Sequence, residues 1–197
     1  LYTYALNIAK TVSYNNAGTV EFLVDKNENI YFIEVNPRIQ VEHTITEEIT
    51  GIDIVRSQIQ IASGYLLSDP QIHLISQDSV VCKGFAIQCR ITTEDPQNNF
   101  TPDYGTIIAR RMANGYGIRI DAGSIYTGYK ISPFFDSMLI KVSAKGRTLK
   151  GACQRMTRAL KEFRVRGVKT NIKFLENVIS HEVFYSGNAN VGFIENH

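Results

Sequence analysis

The sequence predicts an α+β fold, and three observations carry that prediction. Residues 19–24 and 30–35 read as two strands joined by a connector of hairpin length. A strand-rich stretch split by Gly-rich turns runs from residue 85 to 143. Two segments with helical spacing, 148–163 and 170–179, then close the chain. Strands followed by terminal helices are the order expected of an α+β architecture.

The elements follow in order. Residues 4–12 place Ala5, Ile8, Ala9 and Val12 on one side and read as the end of an amphipathic helix. Asn15-Asn16-Ala17-Gly18 is a turn, and Asp25-Lys26-Asn27-Glu28-Asn29 has the turn chemistry to join the first two strands. Residues 46–63 have helical spacing through Ile49, Ile52, Val55, Ile59 and Ala62, with a break at Gly51 and a C-cap at Gly64. Residues 65–79 form a polar connector and the expected domain boundary. Beyond it, Phe85, Ile87, Cys89 and Ile91 alternate with Ala86, Gln88, Arg90 and Thr92, a strand with one apolar face. Further strands are expected over 106–110, 117–121 and 138–143. The basic run Arg155, Arg158, Lys161, Arg164 and Arg166 reads as the wet face of a closing helix.

Composition excludes more than it assigns. The 197 residues suffice for one large domain or parts of two. A net charge of +2 gives no electrostatic ground for nucleic acid or an acidic lipid surface as a partner. No apolar run approaches the ~20 residues of a membrane helix. Leu1-Tyr2-Thr3-Tyr4 has neither an initiator Met nor a leader pattern and is read as a fragment boundary. Cys82, Cys89 and Cys153 form no Cys-x-x-Cys pair, so reduced thiols in a reducing compartment are expected and a zinc site is not.

The stretch from Ile33 to His43 carries the chemistry. Ile33, Val35, Pro37, Ile39 and Val41 alternate with Glu34, Asn36, Arg38, Gln40 and Glu42. In extended chain this gives one apolar face and one face with two carboxylates, two amides and a guanidinium. An edge strand with one wet face alternates in the same way. A continuous strand would separate Glu34 from Glu42 by about 26 Å. Asn36-Pro37 breaks it, because Pro lacks the N–H a ladder needs, so the polar residues are expected to leave the strand and wrap around a site. With the hairpin centred on Asn27, Glu21 falls opposite Ile33 or Glu34. Two facing carboxylates repel unless a cation lies between them. Glu21 and Glu34 thus make a nucleotide–metal clamp, with Asn36 as a third oxygen, or else a solvent-facing pair with basic neighbours.

These residues resemble a known family. Gly18-Thr19-Val20-Glu21-Phe22 and Phe32-Ile33-Glu34-Val35-Asn36-Pro37-Arg38 are similar to the metal-binding end of the ATP-grasp fold. Gln40-Val41-Glu42-His43 resembles the biotin carboxylase branch rather than the carbamoyl-phosphate synthetase branch. Asn36-Pro37-Arg38 and His43-Thr44 look like the pyruvate carboxylase subfamily. Gln88-Cys89-Arg90-Ile91-Thr92-Thr93-Glu94-Asp95-Pro96 and Arg166-Gly167-Val168-Lys169-Thr170-Asn171 point the same way, so the resemblance spans essentially the whole chain.

The resemblance implies the C-terminal portion of an ATP-grasp fold over residues 1–66, a connector over 67–80, and a mixed strand and helix biotin carboxylase C-terminal subdomain over 81–190. It implies Glu21 and Glu34 as the carboxylates that hold Mg²⁺ or Mn²⁺ against ATP, with Asn36 beside them. Arg38 would hold bicarbonate and carboxyphosphate, Gln40 and the Val41 backbone would bind bicarbonate, and Glu42 would take its proton. Arg90 would stabilise the biotin enolate, with Asp136 in support. Implied cofactors are ATP, Mg²⁺ or Mn²⁺, and biotin carried on another domain, since this chain has no Met-Lys-Met carrier motif. Implied partners are bicarbonate, the biotin carboxyl carrier domain, the remainder of the biotin carboxylase domain and a second copy in a homo-oligomer. No nucleic acid or membrane is expected. The compartment implied is the bacterial cytoplasm, ahead of the mitochondrial matrix. The fragment by itself is expected to be inactive. The alternatives are a biotin carboxylase subunit of an acetyl-CoA or propionyl-CoA carboxylase, and a non-catalytic dimer-contact module.

The physical chemistry agrees with these roles. A Glu with an ordinary pKa of about 4.3 is a weak base. It can deprotonate bicarbonate only where the charge formed is stabilised, and Arg38 and a metal would do that. Cys89 is expected in the core, and a packing or helix-start role suits His43 at least as well as a proton shuttle.

Overall fold

In the computed structural model, which describes every residue except Ser124, the chain forms two compact units, Leu1–Val81 and Cys82–His197. The first unit contains α1 (Tyr2–Thr11), β1 (Thr19–Val24), β2 (Ile30–Asn36), α2 (His43–Thr50) and α3 (Ile54–Ala62). β1 and β2 pair antiparallel, with Thr19 opposite Asn36, Glu21 opposite Glu34 and Phe22 opposite Phe32. The register slips between Glu21 and Phe22, leaving Ile33 as the extra residue of a bulge.

Asp25 closes the hairpin turn. Its Oδ1 accepts the backbone N–H groups of Asn27 at 2.8 Å and Asn29 at 2.9 Å, and its Oδ2 accepts Asn29 Nδ2 at 2.8 Å. These bonds, the Asn29 side chain first, hold its carboxyl below the usual range.

One helix over 46–63 with a break is in fact two. Gly51, with φ 75°, ends α2, and Asp53 starts α3 by accepting the Arg56 N–H at 2.8 Å. α2 begins at His43, earlier than the apolar spacing indicates, because Ile45 is the one apolar residue among its first four and gives no periodic signal by itself. Val20 and Phe22 are half-buried, and β2 leaves Phe32 and Ile33 exposed.

The second unit holds β3 (Phe85–Thr92), β4 (Glu94–Asp95), β5 (Thr101–Pro102), β6 (Ala109–Arg111), β7 (Ile118–Ala122), β8 (Met138–Gly146), α4 (Leu149–Glu162), β9 (Arg164–Arg166), α5 (Ile172–Ser180), α6 (Glu182–Tyr185) and α7 (Phe193–Asn196). The main sheet has the antiparallel order β3-β8-β7. Its apolar face, with Ile87, Cys89 and Ile91 of β3 and Ile140, Val142 and Ala144 of β8, belongs to one core with Cys153, Met156 and Leu160 of α4. Burial, with Cys153 nearby, pushes the Cys89 thiol up to about 12, so it stays protonated and packs as a small apolar group.

Two expectations are corrected here. The strand expected over 106–110 is only β6, with Thr106 making an isolated bridge to Lys130. Backbone bonds at this point divide: Ile107 N–H goes to Tyr129 and Ile108 N–H to Arg166, so no single ladder continues. The basic run is not one helix face. Phe163 leaves the helix with ψ 139° and is buried, and Arg164 and Arg166 stand on β9, paired with β6. The basic residues of α4 fasten the turn before β7 instead. Arg158 donates to the Asn114 carbonyl at 3.1 Å, and the Arg155 guanidinium lies 4.9 Å from the Tyr116 ring centre. Gly117 in that turn has φ +77°, and a Cβ there would meet the Lys145 carbonyl at 2.8 Å.

Lys169 links two loops by donating Nζ to Asp95 and its backbone N–H to Asp103, the latter at 2.6 Å. The hydrogen bond to Lys169 lowers the Asp95 pKa, and the same bond raises that of Lys169. The Asp95 contribution is therefore present above the unfolded value of about 3.9 and fades as pH falls through the lowered one. That of Lys169 is present below about 10.4 and fades as pH rises through the raised one. Asp95→Asn should flatten the acid limb of stability against pH and leave the neutral plateau nearly level, measured by urea midpoints. An unchanged acid limb would mean solvent screens the pair completely.

Candidate anion and metal site

The hairpin register sets Glu21 directly across from Glu34. Like charges so placed repel, and here amides stand between them. Asn36, the last residue of β2, donates Nδ2 to Glu21 Oε1 and to Glu34 Oε1, at 2.9 Å each. Gln40 Nε2 also donates to Glu21 Oε1, at 2.8 Å. A shared donor at the meeting point of two carboxylates occupies the kind of position a cation takes. Two carboxylates with phosphate oxygens to complete the shell suit Mg²⁺ or Mn²⁺. Asn36 turns its nitrogen to the pair and its Oδ1 toward Arg38, 3.4 Å from a guanidinium nitrogen. To serve as a third oxygen its amide must turn over.

Pro37 ends the strand as the sequence predicts, and the chain wraps. Arg38 N–H returns to the Asn36 carbonyl at 2.8 Å, His43 N–H reaches the Gln40 carbonyl at 3.2 Å, and Ile45 N–H bonds to Glu42 to start α2. The wrap encloses a cavity of about 390 Å³ whose wall includes Glu21, Arg38, Gln40, Glu42 and His43. Glu34, Asn36 and Val41 are not in that wall; Glu34 is tied to it through Asn36. Arg38 braces itself on the Ile39 carbonyl at 3.1 Å. Glu42 occupies the N-cap position of α2 without capping it through its side chain. Gln40 Oε1 is buried with no hydrogen-bond partner, an acceptor that costs about 1–3 kcal/mol until a donor reaches it. One guanidinium and one carboxylate on a small cavity, with the Gln40 amide behind them, suit a planar, hydroxyl-bearing oxyanion.

Arg90 belongs to the second unit. It lies exposed on the polar face of β3, with Nε 3.4 Å from Gln88 Oε1. Its backbone is held by Asn171, whose Nδ2 donates to the Arg90 carbonyl and whose Oδ1 accepts the Thr92 N–H, both at 2.9 Å. Asp136 accepts the Met138 N–H at 2.7 Å and lines a second cavity of about 320 Å³ with Ser132, Tyr129 and Phe135. Glu94 joins that loop to the end of β3 by accepting Ser137 Oγ at 2.6 Å and Thr92 Oγ1 at 3.1 Å. Glu94 and Asn171 lie inside the motifs that carry the resemblance, yet their fastening role shows only in three dimensions. Glu47, a buried carboxylate four residues after His43, was signalled by nothing but that spacing.

Residues 88–196 match the family described as the biotin carboxylase C-terminal domain, and residues 1–70 match the carbamoyl-phosphate synthase L chain, ATP binding domain. A pyruvate carboxylase of Bacillus subtilis is 53% identical over 191 residues, 97% of this chain and 17% of that protein. One from Aspergillus niger is 56% identical over 191 residues, 97% of this chain and 16% of that protein. The chain thus spans about a sixth of the length of these relatives. Among solved structures, Rhizobium etli pyruvate carboxylase T882A with acetyl coenzyme-A aligns with a TM-score of 0.95 at 50% identity, covering 98% of this chain and 19% of that one. The biotin carboxylase domain dimer of Hydrogenobacter thermophilus 2-oxoglutarate carboxylase, in complex with MgADP, ADP and bicarbonate, aligns with a TM-score of 0.93 at 40% identity, covering 99% of this chain and 42% of that one.

Proposed function

The chain belongs to the biotin carboxylase family, and from that premise we propose that it forms the bicarbonate and metal end of an ATP-dependent biotin carboxylase of the pyruvate carboxylase type. The observation that carries this reading is the convergence of Arg38, Gln40 and Glu42 on one cavity that also contains Glu21, itself paired with Glu34. The bicarbonate bound in the Hydrogenobacter relative supports it.

In this mechanism Arg38 grips the bicarbonate anion, and Gln40, held by its bond to Glu21, lines the pocket around it. Glu42 removes the hydroxyl proton as the bicarbonate oxygen attacks the γ-phosphorus of ATP. The new P–O bond forms while the bond to ADP breaks, giving carboxyphosphate, which decays to CO₂ and phosphate. Arg38 offsets the charge gathered on the bicarbonate oxygens as Glu42 takes the proton. Glu21 and Glu34 fit a divalent ion through their facing oxygens; when bound, it would neutralise charge on the ATP phosphates. The phosphate released with CO₂ can take the N1′ proton of biotin brought by a carrier domain, and Arg90, from the second unit, would stabilise the negative charge left on the ureido group as N1′ bonds to CO₂. Asp136 would support it. Pyruvate as the final acceptor rests on the relatives, which are pyruvate carboxylases. Homo-oligomer formation rests on the dimeric relative.

The metal part is tested by Glu21→Gln and Glu34→Gln in the intact polypeptide that carries this chain. Both should raise the Mg²⁺ concentration for half-maximal ATP cleavage by about tenfold or more. Unchanged metal titrations for both would remove this pair from the nucleotide–metal site.

A further inference from the structure

We propose that His43 is a hydrogen-bonding wall of the anion cavity and that Glu47 is the positioning residue that sets its imidazole. This rests on the bicarbonate reading of the cavity. Glu47 is a carboxylate in the interior, only 8% exposed. A buried carboxylate is costly unless its oxygens find donors or positive charge. Oε1 accepts the Ile54 N–H at the start of α3, at 2.9 Å. Oε2 lies 3.3 Å from His43 Nδ1. The carboxylate thus bridges the first residue of α2 and the first residue of α3, and Ile54 is itself in the cavity wall.

His43 follows Glu42 directly, and its backbone N–H is bonded to the Gln40 carbonyl. The residue is therefore tied through its backbone to the segment that bears Gln40 and Glu42, and its Nδ1 lies beside the Glu47 carboxylate. Nδ1 is fully buried, the side chain is 13% exposed, and the residue lines the cavity. In the proposed role the ring edge bearing Nε2, away from the buried Nδ1, is set toward the cavity. An anionic neighbour on the Nδ1 side favours a proton at Nδ1, which fixes the neutral tautomer with an acceptor at Nε2. In the charged form Nε2 donates instead. Either form gives the cavity a polar atom beside the base, suited to an oxygen of bicarbonate. A packing role alone would need neither a carboxylate behind the ring nor a place in the cavity wall.

The test uses the intact polypeptide and bicarbonate-dependent ATP cleavage. His43→Ala should raise KM for bicarbonate about tenfold while KM for ATP stays within about twofold. His43→Gln can place an amide near the Nε2 position and should recover most of the loss. His43→Asn reaches only the Nδ1 position and should not. Glu47→Gln keeps an acceptor for Ile54 N–H but removes the charge behind the ring. It should raise the same KM with its melting temperature retained, and it carries the test with the Gln and Asn variants if His43→Ala does not fold. Unchanged bicarbonate kinetics in these variants, or rescue by Asn equal to rescue by Gln, would overturn the proposal. Arg38→Ala measured in parallel separates the two levels. If it loses bicarbonate turnover while the His43 and Glu47 variants do not, only the His43 assignment falls. If it keeps wild-type turnover, the bicarbonate reading itself falls.

Discussion

Arg38→Ala, in the intact polypeptide, is expected to lower bicarbonate-dependent ATP cleavage by about 10²–10³-fold, the effect of removing a preorganised charge from where anionic charge gathers. The proposed role agrees with where this side chain lies. Arg38 follows the Pro37 break, its guanidinium rests on the Ile39 carbonyl, and it shares the cavity wall with Gln40 and Glu42. Without it, Glu42 faces a bicarbonate anion with no guanidinium to hold it, and a carboxylate and an oxyanion repel. Arg38→Lys should recover only part of the loss, because an ammonium keeps the charge but not the planar two-point grip. Turnover assays with bicarbonate varied at saturating ATP would check this. Near wild-type rates in both variants would show that the cavity is not where bicarbonate is activated.

Asn171→Ala should destabilise the 197-residue chain by about 2–4 kcal/mol, read from urea unfolding. Asn171 is buried, and its amide closes two hydrogen bonds at 2.9 Å to the backbone of β3, at Arg90 and Thr92. Alanine leaves a carbonyl and an N–H without these partners, each worth about 1–3 kcal/mol when desolvated. The backbone it holds carries Arg90, so the same substitution should depress biotin carboxylation beyond the loss of folded protein. Asn171→Asp keeps the acceptor for Thr92 but sets a buried carboxylate oxygen against the Arg90 carbonyl, and should destabilise at least as much as alanine. A change within about 0.5 kcal/mol for alanine would mean that water replaces the amide without cost.

Much of this arrangement was legible in the sequence because it follows from period and chain geometry. The symmetry of the hairpin about Asn27 brought Glu21 opposite Ile33 or Glu34; the bulge at Ile33 decided for Glu34. Pro37 announced the wrap that gathers Arg38, Gln40 and Glu42. The alternation along β3 put Cys89 inside and Arg90 outside, as found. What stayed hidden depends on contacts between distant residues. Phe163 turns out of α4 into the core, so Arg164 and Arg166 leave the helix face that their spacing suggests. Asn36 carries its nitrogen, not its oxygen, to the two carboxylates, because only a donor can stand between them without a cation. The apolar spacing over 46–63 says nothing of Glu47, and only the fold shows it enclosed between the starts of α2 and α3.

The most direct measurement follows an oxygen atom. With heavy-oxygen-labelled bicarbonate and unlabelled water, inorganic phosphate released by the intact polypeptide should carry one labelled oxygen per turnover, because the bicarbonate oxygen that attacks phosphorus stays with it. The label should vanish together with turnover in Arg38→Ala. Phosphate that carries only water oxygen, or labelled phosphate formed at the wild-type rate by Arg38→Ala, would contradict the assignment of this cavity as the bicarbonate site.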